Sequence, residues 1–277
     1  MTRVDAHHHV WRAARGDYGW LTPDLPIHRD YMLDDLRPLL GDITATVLVQ
    51  AAPTEAETDF LLTTAGTSHG LVRGVVGWTD LAAPDAPTRI AQLADAPMLK
   101  GLRPMLQDIA DTDWILRPEV QPALAAITAC GLRFDALIQP RHLPNLVTLS
   151  ARHPRLPIVI DHAAKPAIAQ GAFEPWASDI ARVAQQTTAV CKLSGLVTEA
   201  GTNWQANDLR RAADHLIACF GPARLMWGSD WPVVELAGGY RRWRAATDDL
   251  LRGLDAAARD AILGATAWSF YGLGDAA

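Results

Sequence analysis

A single (β/α)8 barrel is the fold class the sequence predicts, and three observations predict it. Eight apolar strand candidates alternate with helical stretches along the 277 residues. No Gly/Ser-rich linker, low-complexity tract or break in composition divides the chain, so residues 1–277 read as one domain. No glycine-rich phosphate turn follows an early strand, as the rival open, doubly wound sheet would want. Periodicity alone does not separate a closed sheet from an open one.

The first strand, residues 4–10, organises the rest. Alternation places Asp5, His7 and His9 on one face, and Val4, Ala6, His8 and Val10 on the other. Two imidazoles two residues apart can close on a single metal ion or a single polarised oxygen. Residues 11–31, with Gly-Asp-Tyr-Gly-Trp, are too long for a simple connection and read as a lid or binding loop. A short helix is expected over 33–40. Residues 46–50, Thr-Val-Leu-Val-Gln, form the continuous apolar run of a strand buried on both faces. The helix over 54–69 opens on Thr54 as N-cap with Glu57 three residues on, the pattern of a capping box. Strand 71–78, helix 85–94 and strand 99–103 follow, then a second long loop over 104–114. Helix 119–130 stops at Gly131. Strand 133–139, helix 143–152, strand 157–162, helix 173–186 and strand 189–194 come next. Helix 208–220 is closed by Gly221-Pro222 and leads into strand 224–230. Helices over 240–251 and 255–263 finish the chain.

The net charge of −6 argues against nucleic acid and against an anionic membrane surface as partners. No apolar run approaches the roughly 20 residues of a spanning helix, and the N-terminal residues show no apolar signal segment. Cys130, Cys191 and Cys219 have no paired spacing, which suits a reducing cytoplasm and offers neither a disulfide framework nor a thiolate metal site. Nearly all basic residues are Arg. Lys100, Lys165 and Lys192 each fall in or just after a strand, where a snorkelling or paired side chain is the plain reading.

In such a barrel the chemistry sits where the strands end. The polar residues there are His7 and His9 on strand one, Arg103 on strand four, His162 with Lys165 beyond it on strand six, and Asp230 on strand eight. His8 faces the helix layer and reads as structural. Trp11, Trp20, Trp78, Trp114 and Trp231 lie in loops or at strand ends, where an indole serves a sugar ring or lid packing equally well.

The stretches Val4-Asp-Ala-His-His-His9, Gly77-Trp78, Lys100-Gly-Leu-Arg103, Ile160-Asp-His162 with Lys165-Pro166, and Gly228-Ser-Asp-Trp-Pro232 span nearly the whole chain. Together they resemble the amidohydrolase superfamily of the amidohydrolase-2 type, and within it the sugar-lactone and muconolactone-type lactonases. The resemblance implies a hydrolase that opens the ester ring of a small lactone in carbohydrate catabolism. Asp230 would be general base on water, with His7, His9 and His162 polarising the carbonyl directly or through one divalent metal, zinc foremost. The same His7, His9, His162 and Asp230 would hold that metal, and no metal at all is the other reading. Arg103, Lys165, Trp78 and Trp231 are the expected substrate-binding residues. An aldonolactone of the fucono- or rhamnono-lactone type is the implied substrate; a dicarboxylate or sulfonated lactone of aromatic breakdown, and a zinc-dependent decarboxylase, are the rivals. A small-molecule lactone is the expected partner, a homo-oligomer is compatible with the sequence, and the fifth strand lacks the His that a two-metal site would want.

Overall fold

The computed structural model describes residues 2–274. Strands and helices alternate: β1 (Val4–His8), α1 (Leu33–Leu36), β2 (Ala45–Val49), α2 (Glu55–Gly66), β3 (Val72–Gly77), α3 (Ala86–Ala94), β4 (Leu99–Leu102), α4 (Gln121–Ala129), β5 (Arg133–Ala136), α5 (Leu143–Arg152), β6 (Ile158–Ile160), α6 (Trp176–Gln186), β7 (Val190–Leu193), α7 (Leu196–Ala200), α8 (Ala206–Phe220), β8 (Leu225–Trp227), α9 (Tyr240–Leu250), α10 (Ala256–Asp260) and α11 (Thr266–Tyr271). The strands pair in parallel in chain order from β1 to β8. The sheet returns on itself just past the strand ends. His8 bridges Trp231 in parallel, the Asp230 amide donates to the His7 carbonyl at 2.8 Å, and the His9 amide donates to the Trp231 carbonyl at 2.7 Å. The expected (β/α)8 barrel is the fold found. Among the described residues no helix is long and apolar enough to cross a membrane.

Two apolar layers hold it. An outer layer packs strands against the surrounding helices. An inner cluster of Val4, Ala6, Val47, Val49, Val76, Val159, Val190 and Met226 is closed by Ala267, Tyr271 and Leu273 from and after α11. Arg133, the first residue of β5, donates to the Phe270 carbonyl at 2.6 Å, so α11 seals the end at which the strands begin. This helix and the short α7 were not anticipated; the expected helix over 255–263 is α10, which continues through a wide turn at Ala261–Ala265 into α11.

Three further expectations are corrected. β6 stops at Ile160 and β8 at Trp227, so His162 and Asp230 stand just beyond their strands rather than on them. The register of β1 on β2 shifts between Asp5 and His8. Strict alternation fails there: Ala6 enters the inner cluster, while Asp5 is spent on the seam, accepting from the Ser229 amide at 2.8 Å. Finally, Thr54 does cap α2, its Oγ1 accepting from the Glu57 amide at 3.1 Å, but the carboxylate of Glu57 does not reach back to complete a capping box.

That carboxyl is instead a buried tie. It accepts from the Tyr18 hydroxyl at 2.7 Å and from the Ala51 amide at 3.2 Å. The Trp20 indole N–H donates to the Ala51 carbonyl at 2.7 Å, and the Trp11 ring meets those of Trp20 and Tyr31 edge-on. The long loop after β1 is therefore packed against the ends of β2 and α2. Burial pushes Glu57 up to about 7 from 4.5, against the pull of Tyr18 and Ala51. A carboxyl raised on folding holds a proton that the unfolded chain releases, so its stabilisation is full below about pH 4.5 and is lost as pH rises through about 7. In Glu57→Gln, the loss of stability between about pH 5 and pH 8 shrinks by on the order of 1–3 kcal/mol, read from denaturant midpoints across pH. Asp5, likewise pushed up to about 7 by burial, keeps part of that slope in the variant.

Candidate active site

A cavity of about 240 Å³ opens where the strands end. His9, His162 and Asp230 form its floor, with Arg103 and Lys165 beside them; Trp20 and Leu25 from the long loop stand above, and Met105, Leu137, Val233 and Leu236 make apolar walls. Local backbone geometry aims the two residues that follow short strands. His162, Ala163, Ala164 and Lys165 all take left-handed φ angles of 51° to 58°, and Asp230 takes 58°. Non-glycine residues rarely do this, and the strain concentrates where side chains must be aimed. The Trp176 indole N–H anchors the first turn by donating to the Ala163 carbonyl at 2.7 Å. Two glycines make room. A Cβ on Gly195, itself at φ +65°, would lie 2.6 Å from His162 Nδ1, and one on Gly228 would lie 2.6 Å from His7 Cβ.

Four predicted groups meet at one carboxylate oxygen. Asp230 Oδ1 lies 3.3 Å from His9 Nε2, 3.7 Å from His162 Nε2 and 3.8 Å from His7 Nε2. His7 and His9 approach Nε2 to Nε2 at 3.2 Å. The outer nitrogens have partners too: His9 Nδ1 meets the Val49 carbonyl at 2.7 Å, and His162 Nδ1 meets Ser194 Oγ at 2.8 Å. Burial would raise Asp230, but His162, His9 and His7 outweigh it and hold the carboxyl well below its usual range. Burial pushes His162 down to about 4 against the charges of Asp230 and Asp161. Burial, then the charge of Lys192, keeps His7 well below its ordinary range.

The remaining predicted residues divide. Arg103 lines the cavity, yet its guanidinium is engaged: Nη1 lies 3.2 Å from Asp161 Oδ2, and Nη2 donates to the Gln50 carbonyl. Lys165 lines the cavity and makes no ion pair among the described residues. Trp78 lines a neighbouring hollow of about 310 Å³ with Trp114, sharing only Met105 and Asp108 with the main cavity. Trp231 is buried beside Tyr31, does not line the cavity, and contributes through the backbone carbonyl that holds His9. His8 turns to Thr46 Oγ1 at 2.9 Å, and burial pushes it down to about 3.

Sequence reasoning missed the charges beneath. Lys192 Nζ lies 2.6 Å from Asp135 Oδ2, 2.9 Å from Asp161 Oδ1 and 3.2 Å from His7 Nδ1. The Tyr271 hydroxyl donates to the same Asp135 oxygen at 2.6 Å. All of these residues are buried. The available signal was a Lys and an Asp inside otherwise apolar strands. Trp20 is the indole that faces the cavity, and Gln107 and Asp108 from the second long loop complete its polar rim.

A family model described as Amidohydrolase matches residues 4–273. The chain belongs to the amidohydrolase family. It is 47% identical over 281 residues to an L-fucono-1,5-lactonase of Burkholderia ambifaria, covering 97% of this chain and 95% of the relative. It is 37% identical over 294 residues to an L-fucono-1,5-lactonase of Burkholderia multivorans, covering 98% and 96%. A crystal structure of a Burkholderia multivorans amidohydrolase with bound zinc superposes with a TM-score of 0.92 at 37% identity, covering 98% of this chain and 99% of that one.

Whether this amidohydrolase's donors suit a divalent ion is a matter of spacing. Around a tetrahedral ion with bonds of about 2.0–2.1 Å, ligand atoms lie about 3.3–3.4 Å apart. His7, His9 and Asp230 bracket that value at 3.2, 3.3 and 3.8 Å. His9 also meets the usual requirement that the other ring nitrogen donate to an oxygen. The set fits one ion, with His162 as a fourth donor at hand. Gly228→Ala forces β8 and His7 apart and so opens the cluster. It is expected to lower turnover at least 10-fold while the far-ultraviolet circular dichroism of the folded protein stays that of the parent.

Proposed function

We propose that the chain is a lactonase that opens the ester ring of a small aldonolactone of the fucono- or rhamnono-lactone type. The observation that carries this reading is one buried carboxylate ringed by three imidazoles at the floor of a cavity sized for a small molecule. Asp230 takes a proton from water as the water oxygen attacks the lactone carbonyl carbon. The oxyanion that forms is met by the Nε2–H of His162, while His7, buried behind the cavity floor, packs against His9, whose Nδ1–H is committed to Val49. When the ring C–O bond breaks, Asp230 returns its proton to the leaving alkoxide, and an open-chain hydroxy acid results. A carboxylate held this low is a weak base but is ionised throughout the working range. The apolar walls, by excluding bulk water, strengthen each of these contacts. Held by His7, His9 and Asp230, a divalent ion would supply Lewis-acid polarisation of the carbonyl.

The rim favours a polyhydroxylated lactone over a dicarboxylate. Two carboxylates want at least two free cations, and Arg103 is committed to Asp161 and Gln50. That leaves Lys165 in a lining that also holds Gln107 and the acidic Asp108, groups that bind hydroxyls. The Trp20 indole supplies an aromatic face for the ring. Unpaired cysteines and an acidic charge balance fit a cytoplasmic enzyme of sugar catabolism.

A pH-indicator screen over five- and six-membered aldonolactones is expected to give turnover. Silence across that panel together with hydrolysis of a pyrone dicarboxylate would overturn the substrate class. On the lactone that is turned over, Asp230→Asn and His162→Ala are each expected to lose about 10²–10³ or more in kcat. Near-parental turnover by either variant would remove its residue from the mechanism.

A further inference from the structure

We infer that the hollow lined by Trp78 and Trp114 is a second carbohydrate subsite, which takes a neutral sugar ring joined to the lactone in the main cavity. The inference rests on the lactonase reading for the first ring; the second ring is argued from the hollow itself.

The hollow, of about 310 Å³, opens at the same end of the barrel as the main cavity and shares Met105 and Asp108 with it. Its walls are fixed before any ligand arrives. Trp78 directly follows β3, and the Thr58 hydroxyl of α2 clamps its backbone, accepting from the Trp78 amide at 2.8 Å and donating to the Trp78 carbonyl at 2.9 Å. Gly77 permits that approach, since a Cβ there would lie 2.6 Å from Thr58 Cγ2. The second long loop, residues 104–114, brings Asp108, Ile109 and Trp114. Arg141 ties it down, donating to Thr112 Oγ1 at 2.7 Å and to the Ile109 carbonyl at 3.0 Å, and Asn145 of α5 donates to the Thr112 carbonyl at 2.8 Å. A long loop held at this many points is a built wall, not a slack connection. Met105, unbranched and half-buried, is the partition over which a linked ligand would pass.

Two indole faces suit the C–H face of a pyranose, and the charged residues of the lining are Asp80 and Asp108, with no cation among them. Asp80 spends Oδ1 on the Ala82 amide at 2.9 Å, and its Oδ2 has no partner among the described residues. The indole N–H groups of Trp78 and Trp114 have none there either, whereas that of Trp20 in the main cavity is spent on Ala51. A ligand that offers an apolar face, hydroxyl donors for carboxylates and hydroxyl acceptors for indole N–H groups is a sugar ring. An anion finds no cation in this lining. A quaternary ammonium would use the faces and the carboxylates, but it brings no acceptor for an indole N–H.

The first test reads binding, not turnover, so its failure is distinct from failure on the lactone panel. In protein carrying fluorotryptophan, the fluorine signals of Trp78 and Trp114 are assigned by their loss in Trp78→Phe and Trp114→Phe. Methyl glycosides of neutral hexoses are expected to shift both signals saturably. Shifts from choline with none from any glycoside, or no shift from either, overturn the sugar assignment. The second test asks whether the ring is linked to the lactone. It compares kcat/KM for aldonolactones with and without a glycosyl group, cellobiono- and lactobiono-lactone against gluconolactone among them. The glycosylated lactone is expected to gain about 10-fold, and Trp114→Ala to abolish that gain. Glycoside binding with no gain for any glycosylated lactone overturns the link, and a gain that survives in Trp114→Ala overturns the placement of the second ring. Should Trp114→Ala not fold, or the lactone panel stay silent, the parental fluorine titration still decides the subsite.

Discussion

Parallel strands of a barrel acquire their last ladder only where the final strand bonds back to the first, and here that ladder also carries the proposed active site. The Asp230 amide bonds to the His7 carbonyl, the His9 amide bonds to the Trp231 carbonyl, and Asp5 takes the Ser229 amide. Each of these bonds joins residues more than 200 positions apart, and the first two fix the backbone of groups that meet at Asp230 Oδ1. Gly228 permits the approach, since any side chain there would collide with His7. The shortness of β8 follows: after Trp227 the chain leaves the sheet and turns left-handed at Asp230, which aims the carboxylate inward instead of along the ladder.

Beneath the seam lies a charge problem that the fold must balance. Asp135, Asp161, Lys192 and Arg103 are all buried, and taking unpaired ions from water costs several kcal/mol each. They are arranged with alternating sign: Asp135 against Lys192, Lys192 against Asp161, Asp161 against Arg103. Arg103, which also lines the cavity, is thereby tied into this row of charges. Asp161, held well below its ordinary range by Lys192 and His7 against the effect of burial, remains a carboxylate that keeps both cations in register under the imidazoles. Replacing either cation with a neutral residue would strand a buried carboxylate, so the cluster stands or falls together.

How much of this was legible in the sequence follows from which rules are local. The strand and helix order was legible because an apolar run or a helical period needs only neighbouring residues. His7, His9, His162 and Asp230 were legible because barrel closure plus the strand-end rule converts four distant motifs into one place. The rest depended on geometry that no short window carries. Asp5 was assigned to the site face by strict alternation, which a shift in β1 register overrides. His162 was assigned to a strand because Ile158–Ile160 runs into it without a turn residue; nothing in Asp-His-Ala-Ala-Lys announces four left-handed residues. Glu57 looked like half a capping box because the spacing is right, yet Tyr18, 39 positions away, claims its carboxyl. Trp20 was indistinguishable from Trp78 and Trp231 until the loop was seen to fold over the cavity. Lys192 was noticed as a strand lysine, but its partners come from β5 and the turn after β6.

The packed loop completes the chemistry that the seam begins. Asp230 is a poor base by itself, because the imidazoles that position it also stabilise its ionised form. What such a carboxylate can do depends on how little water competes for it and for the carbonyl. Trp20 and Leu25 close over it from one side, and Met105, Leu137, Val233 and Leu236 enclose it from the others. Trp20 is held in that position by the Ala51 carbonyl, whose own amide is held by buried Glu57, which Tyr18 of the same loop also grips. The tie that looks like loop packing is therefore continuous with the cavity floor: it holds Trp20 at the cavity, and shielding from water would strengthen every hydrogen bond the developing oxyanion of the proposed reaction meets.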